Sequence, residues 1–235
     1  MKRKDSRLDE VPSPRPMPVV SQVWAQRLDL SNFINAFYQY RDLQGIPQCK
    51  TVLIIGPGQG FATQVLKWRG YEVTTLDIDP AFGPDEVGSA HDLRRFRDGQ
   101  FDAVVASHVL EHLPVAYLGQ ALAEISRVGD YALIYLPVNG VYAQLRLTSN
   151  FRAFDYSLLL TISKWFDRPE LTTPRYMSGQ HYWEVGLKGF SVRDLIRRME
   201  AHFVLLGTYR NKDWLPSQNF VLRSRRGPVI RAHEC

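Results

Sequence analysis

The stretch that decides the fold runs from Thr51 to Asp77: TVLIIGPGQGFATQVLKWRGYEVTTLD. Thr51 to Ile55 is an apolar, β-branched run without polar alternation, which predicts a central strand covered on both faces. Gly56, Pro57, Gly58, Gln59 and Gly60 follow. Glycine adopts positive φ without a Cβ penalty and lets a ligand approach the backbone. Phe61 to Trp68 then predicts a helix with Phe61, Val65 and Leu66 on one stripe, whose N-terminal amides suit an anionic group. Val73 to Leu76 predicts a second strand, closed by Asp77, where a carboxylate can accept hydrogen bonds from ribose hydroxyls. Strand, glycine turn, helix, strand and acid together describe a site for a nucleoside-bearing cofactor, and hence an enzyme.

The glycine spacing discriminates between cofactors. A dinucleotide fingerprint needs a third small residue where this chain has Phe61. The pattern present is G-x-G-x-G, with Asp77 seventeen residues after Gly60. With these residues the chain resembles the class I S-adenosylmethionine-dependent methyltransferases. The resemblance implies that Gly56, Pro57, Gly58 and Gly60 hold the methionine end of S-adenosylmethionine and that Asp77, with Ile78 beside it, holds the ribose. Phe101 to Pro114 (FDAVVASHVLEHLP) is similar to the family's fourth strand and the turn after it, with Ser107 and His108 at its carboxyl end. Ala90-His91-Asp92-Leu93 is similar to the adenine-contacting segment, so Asp92 and Leu93 complete the expected cofactor set, although Ser89 stands where an acid is common. A NAD(P)-dependent enzyme, or a catalytically silent cofactor-binding partner subunit, is the rival from another class.

The remaining elements follow in order. Val115 to Val128 has Leu118, Leu122, Ile125 and Val128 on one helical face, with Gly129 at its end. Tyr131 to Leu136 reads as a fifth strand. Ser191 to Ala201 reads as a helix with a capping box of Ser191 and Asp194. Phe203 to Tyr209 and Asn219 to Leu222 read as a closing antiparallel pair. The expected fold is α/β: a Rossmann-like, mostly parallel seven-stranded sheet with helices on both faces and a C-terminal antiparallel β-hairpin. Upstream, Ser31 is expected to cap a helix over 32–43 that bears Phe33, Phe37 and Tyr40.

Between Pro137 and Phe190 lies an insertion expected to form a lid over the acceptor, so 21–222 reads as one domain with 138–190 inserted. It holds Phe151, Phe154, Tyr156, Trp165, Phe166, Tyr176, Tyr182 and Trp183. Tyr156 to Phe166 is expected to be an amphipathic helix, packed as a lid or lying at a membrane surface. Gly179 to Gly186 (GQHYWEVG) resembles a G-Q-H-Y-W-E-[IV]-G segment of a bacterial subgroup of the same family. His181 and Glu184 are candidate bases for an acceptor hydroxyl, and His112 is a further candidate near the transferred methyl. Trp183 and Tyr182 are candidate stacking surfaces for a sugar or ring, set against a plain anchoring role for the segment. His108-Val109-Leu110-Glu111-His112 also satisfies H-x-x-E-H. On a helix its histidines would share a face and bind zinc, but His108 falls at a strand end, so no metal is expected.

Composition bounds the partners. Residues 1–18 carry five basic and three acidic residues, and 223–235 carry four and one, which accounts for the whole net charge of +5. The remainder is balanced, which gives no strong nucleic-acid signal. Both ends, 1–20 and 223–235, read as flexible tails, the first with Pro12, Pro14, Pro16 and Pro18 among charges. There is no signal-peptide core and no transmembrane segment, and Cys49 and Cys235 make no disulfide framework, so a cytoplasmic enzyme is the expectation. The expected acceptor is a hydroxyl of a small molecule or glycan, with protein, lipid or RNA as the alternative; the sequence is silent on oligomeric state.

Overall fold

The computed structural model describes residues 29–149, 154–162 and 181–226. The tail 1–20, the stretch 227–235 and the insertion residues Phe151, Trp165, Phe166, Tyr176, Gly179 and Gln180 lie outside them. In chain order the elements are α1 (Leu30–Gln44), β1 (Thr51–Ile55), α2 (Phe61–Trp68), β2 (Glu72–Asp77), β3 (Glu86–Val87), β4 (Phe101–Ser107), α3 (Val115–Val128), β5 (Gly129–Pro137), β6 (Val141–Ser149), β7 (Phe154–Ile162), α4 (Val192–Met199), β8 (Phe203–Arg210) and β9 (Ser217–Ser224).

Seven strands form one sheet in the order β3-β2-β1-β4-β5-β9-β8. β3 to β5 pair in parallel, and β9 pairs antiparallel with both β5 and β8. This is the expected Rossmann-like sheet with its antiparallel hairpin. The apolar runs of the central strands feed both faces, because successive side chains alternate. Leu53, Ile55, Val104, Ala106, Ile134 and Leu136 pack with α3 and α4 in one core layer. Val52, Ile54, Ala103, Val105, Leu133 and Tyr135 pack with Tyr38 and Leu43 of α1 and Leu66 of α2 in the other. The chain reverses direction of winding between β1 and β4, and there the carboxyl ends of the strands open a crevice for ligand.

α1 begins two residues earlier than its sequence suggests. Asp29, not Ser31, is the N-cap, and its carboxylate accepts from Ser31 N. The helix is tied to the sheet by Asp42, which accepts from Tyr135 Oη at 2.6 Å and from Tyr209 Oη. Its N-terminal end reaches the glycine turn: Asn32 donates to Gln59 at 3.0 Å, and Phe33 meets Phe61 at 4.2 Å.

The helix expected over Tyr156 to Phe166 is not formed in the described part. Residues 154–162 are β7, paired antiparallel with β6 in a separate two-stranded sheet. The cause is legible in the period: Ala143, Leu145 and Leu147 alternate along β6, and their partners Leu160, Leu158 and Tyr156 alternate along β7. These side chains are exposed on the ribbon. At the other end, β9 continues to Ser224, and Arg226 pairs with Asp130 at 2.8 Å. The first four residues of the expected basic tail therefore belong to the fold, because the β9 ladder holds Arg223 opposite both Tyr131 and Val204.

Candidate active site

The glycine turn is a backbone device. Gly56, Gly58 and Gly60 have φ of 68°, 53° and 72°, all in the left-handed region. A Cβ on Gly56 would stand 2.3 Å from Val109 Cγ2, so this glycine lets the turn seat itself on the loop after β4. A Cβ on Gly58 or Gly60 would meet no atom within 4 Å, so the backbone there is open to a ligand. Gly60 is the N-cap of α2 and adds no side-chain bond, which leaves the first-turn amides uncapped by side chains.

Asp77 ends β2 beside this turn, half-buried, with Oδ1 accepting from Asp79 N at 2.9 Å. Desolvation pushes its carboxyl above the ordinary aspartate value. Ile78 follows it, exposed. A groove of about 370 Å³ on the flank of the turn is lined by Gly58, Gly60, Lys67 and Asp85, among others, but not by Asp77 or His108. Its one carboxylate, Asp85, is already engaged by Thr75 N and Oγ1 at 2.8 and 2.7 Å.

The adenine segment differs in detail from its expected form. Asp92 is exposed and gripped in a bidentate pair by Arg94, at 2.8 Å on each oxygen, which holds its carboxyl below the ordinary range. A base would meet only the lone pairs Arg94 leaves. Leu93 is fully buried in the core, and its amide donates to Glu124, so its side chain is packing rather than a ligand contact. The sequence reading missed His91. Its ring stacks on Tyr117 at 4.6 Å and 29°, with Nδ1 2.7 Å from Ser89 Oγ. Only the fold brings Tyr117 of α3 to this segment.

A second cluster brings imidazoles and carboxylates together. Ser107 ends β4 and His108 follows with φ of 56°. Its Nε2 lies 3.3 Å from Ser217 Oγ and its ring meets Trp214 edge-on at 5.0 Å. Burial lowers the His108 pKa to about 3. Glu111, in the 3-10 turn Leu110–His112, is 0% exposed, and neither carboxyl oxygen has a hydrogen-bond partner. Burial pushes it up to about 8. His108 Nδ1 and Glu111 Oε1 are 3.7 Å apart, yet the two are not an ion pair at neutral pH, because desolvation favours the neutral form of each.

His112 meets His181 at 4.7 Å between ring centroids, nearly perpendicular. His181 Nδ1 lies 2.9 Å from Glu184 Oε1, and Asn139 donates to Glu184 Oε2 at 2.8 Å. Both Glu184 oxygens are thus acceptors, so Nδ1 of His181 carries the proton and Nε2 carries the lone pair. The segment is strapped across the strand ends. Tyr182 N donates to Glu111 O, Val185 N to Pro137 O and Asn139 N to Val185 O, all within 2.9 Å. His181, Glu184 and His112, expected from distant positions, are therefore brought together.

Trp183 is not a stacking surface for substrate. It is 1% exposed, stacks on Phe190 at 5.1 Å, and donates from Nε1 to Leu113 O at 3.1 Å. The side chain anchors the strap, while Tyr182 beside it is 44% exposed. Tyr182 keeps its candidate role.

Residues 53–130 match the family described as "Methyltransferase domain". An uncharacterized methyltransferase from Mycobacterium sp. (strain JLS) is 31% identical over 98 residues, 37% of this chain and 39% of that protein. The chain thus spans about two fifths of the length of the curated relative it matches. A SAM-dependent methyltransferase from Archaeoglobus fulgidus is similar over 82% of this chain and 94% of its own, at 17% identity and a TM-score of 0.54. The glycopeptide N-methyltransferase MtfA, complexed with S-adenosylhomocysteine, is similar over 84% and 90%, at 14% identity and a TM-score of 0.52. Residues 53–130 thus match a methyltransferase-domain family, and the fold around them is the one these solved structures share.

Proposed function

We propose that the chain moves a methyl group from S-adenosylmethionine to a hydroxyl of a small molecule or glycan. The observation that carries the donor assignment is the run of three left-handed glycines beside a half-buried Asp77. The residues fit the cofactor, since a Cβ at Gly58 or Gly60 would occupy the space a ligand needs. Gly56 to Gly60 and the first turn of α2 would hold its methionine end, Asp77 would accept from the ribose hydroxyls, and the adenine would lie along Ile78, His91 and Asp92. When bound, the cofactor supplies a methyl already activated on a sulfonium, so no residue of the chain has to activate it.

The chain's own task is alignment, exclusion of water and handling of one proton. An oxygen acceptor loses a proton as it is methylated. His181 suits that proton, because Glu184 orients the ring through Nδ1 and stabilises the imidazolium that forms. His112 stands beside it as a second acceptor of the proton. His181 is itself 6% exposed, which keeps the base dry. Tyr182, exposed next to His181, offers a ring face to the acceptor. The reading is tested by calorimetric titration with S-adenosylmethionine, S-adenosylhomocysteine, NADH and NADPH, followed by acceptor screening with a labelled methyl donor. Turnover that survives His181→Ala unchanged removes His181 from the reaction.

A further inference from the structure

Glu111 is the side chain that methyl transfer leaves unexplained. A carboxylate with 0% exposure and two unpartnered oxygens costs several kcal/mol unless it is protonated or meets a cation. The groups nearest to it are imidazoles. One ligand atom each from Glu111, His112 and His181 all lie within 4.8 Å of one another. Ligand atoms on a tetrahedral zinc at about 2.1 Å would be about 3.4 Å apart, so a modest inward movement closes the set. The expectation of no metal concerned a helix joining His108 to His112. The structure offers a different set, in which the strap supplies His181 in place of His108.

We propose that Glu111, His112 and His181 form a binding site for a divalent transition cation, of which zinc is the probe of choice. Two histidines and one carboxylate suit this class of ion. The support around them is the arrangement a ligating histidine needs. Glu184 accepts from Nδ1 of His181, which fixes the tautomer that presents Nε2, and Asn139 fixes Glu184. Glu111 gains the cation its buried oxygens lack. Three protein ligands leave a further position open, and an oxygen of the acceptor fits it. In that case His181 acts as a ligand, and the acceptor proton is lost to water from a cation-bound hydroxyl of lowered pKa. The cation site stands on its own geometry, and only the acceptor's place on it rests on the methyl-transfer reading.

The test is calorimetric titration of the full chain, stripped with chelator, with zinc chloride, without cofactor or acceptor. The expected result is one zinc per chain with micromolar or tighter affinity. His112→Ala, His181→Ala and Glu111→Gln should each weaken it by about a hundredfold or more. Glu184→Gln should weaken it roughly 10- to 100-fold through the orientation of His181, while His202→Ala leaves it unchanged. No zinc binding by the wild type, or binding that ignores both His112→Ala and His181→Ala, overturns the proposal. Should those variants fail to fold, zinc titration of the wild type followed by imidazole nitrogen NMR decides it. Shifts confined to His112 and His181 support the site, and shifts elsewhere with none at these two overturn it. Because cofactor is absent, failure here leaves the donor reading standing, and failure of S-adenosylmethionine to bind leaves this one standing.

Discussion

Replacing Gly56 by alanine separates two reasons for a glycine. At φ of 68° an alanine is strained by about 1–2 kcal/mol. The new Cβ would also stand 2.3 Å from Val109 Cγ2, an overlap that must be relieved by moving the loop after β4. Overpacking of this kind costs about 1–3 kcal/mol. Gly56→Ala should therefore cost about 2–5 kcal/mol, a large share of the roughly 5–15 kcal/mol that holds a domain together. Gly58→Ala meets the strain, at φ of 53°, without the overlap, and should cost only about 1–2 kcal/mol. Urea unfolding of the full chain, followed by circular dichroism, measures both. The double variant Gly56→Ala, Val109→Ala should recover about 1 kcal/mol or more beyond additivity, since the two side chains then no longer collide. Equal losses for Gly56→Ala and Gly58→Ala, with additive behaviour of the pair, would refute the contact and with it the seating of the turn on the Glu111 loop.

Other perturbations probe separate parts of the molecule. Trp183→Ala should destabilise by about 3–5 kcal/mol, because it empties a site filled by an indole against Phe190; a loss of acceptor affinity with unchanged stability would restore Trp183 to the substrate surface. Asp42→Ala should cost about 2–5 kcal/mol in thermal or urea unfolding, since the buried Tyr135 hydroxyl loses its carboxylate and Tyr209 with it. Asp77→Ala should weaken S-adenosylhomocysteine binding at least about tenfold in calorimetry while leaving the fold intact. The pH dependence of Asp77 has a defined sign. Its folded-state pKa is raised, so the native state binds the proton more readily than the unfolded chain, and this group's contribution to stability falls as pH rises from the ordinary aspartate value to the raised one. Cofactor affinity runs the other way: the ionised form accepts from the ribose, so affinity falls on acidification, at a pH above the ordinary aspartate value. Titrations at pH 4 to 7 with wild type and Asp77→Asn separate the two.

The glycine turn and the elements that flank it are legible because they rest on local chemistry. Positive-φ glycines, a β-branched run and an acid at a strand end are written within one stretch of sequence, and the Ser191 capping box likewise forms as its spacing predicts. The helix expected over Tyr156 to Phe166 is a strand through residue 162, because Tyr156, Leu158 and Leu160 alternate rather than follow the helical period. Trp183 was misread because an aromatic residue beside a histidine looks the same in sequence whether it faces solvent or core. Its direction is set by the strap hydrogen bonds to Glu111 and Pro137, which are long-range. Glu111 drew attention only as part of H-x-x-E-H. What makes it unusual is the burial of both oxygens, and no sequence pattern records burial without a partner.

The account rests on the glycine turn and Asp77 forming a donor site. Calorimetric titration of the purified chain with S-adenosylhomocysteine, S-adenosylmethionine and NADH tests that most directly. Micromolar binding of the two sulfur cofactors, lost or strongly weakened in Asp77→Ala, with no heat from NADH, is the predicted result. Binding of NADH alone, or sulfur-cofactor binding indifferent to Asp77→Ala, would contradict it.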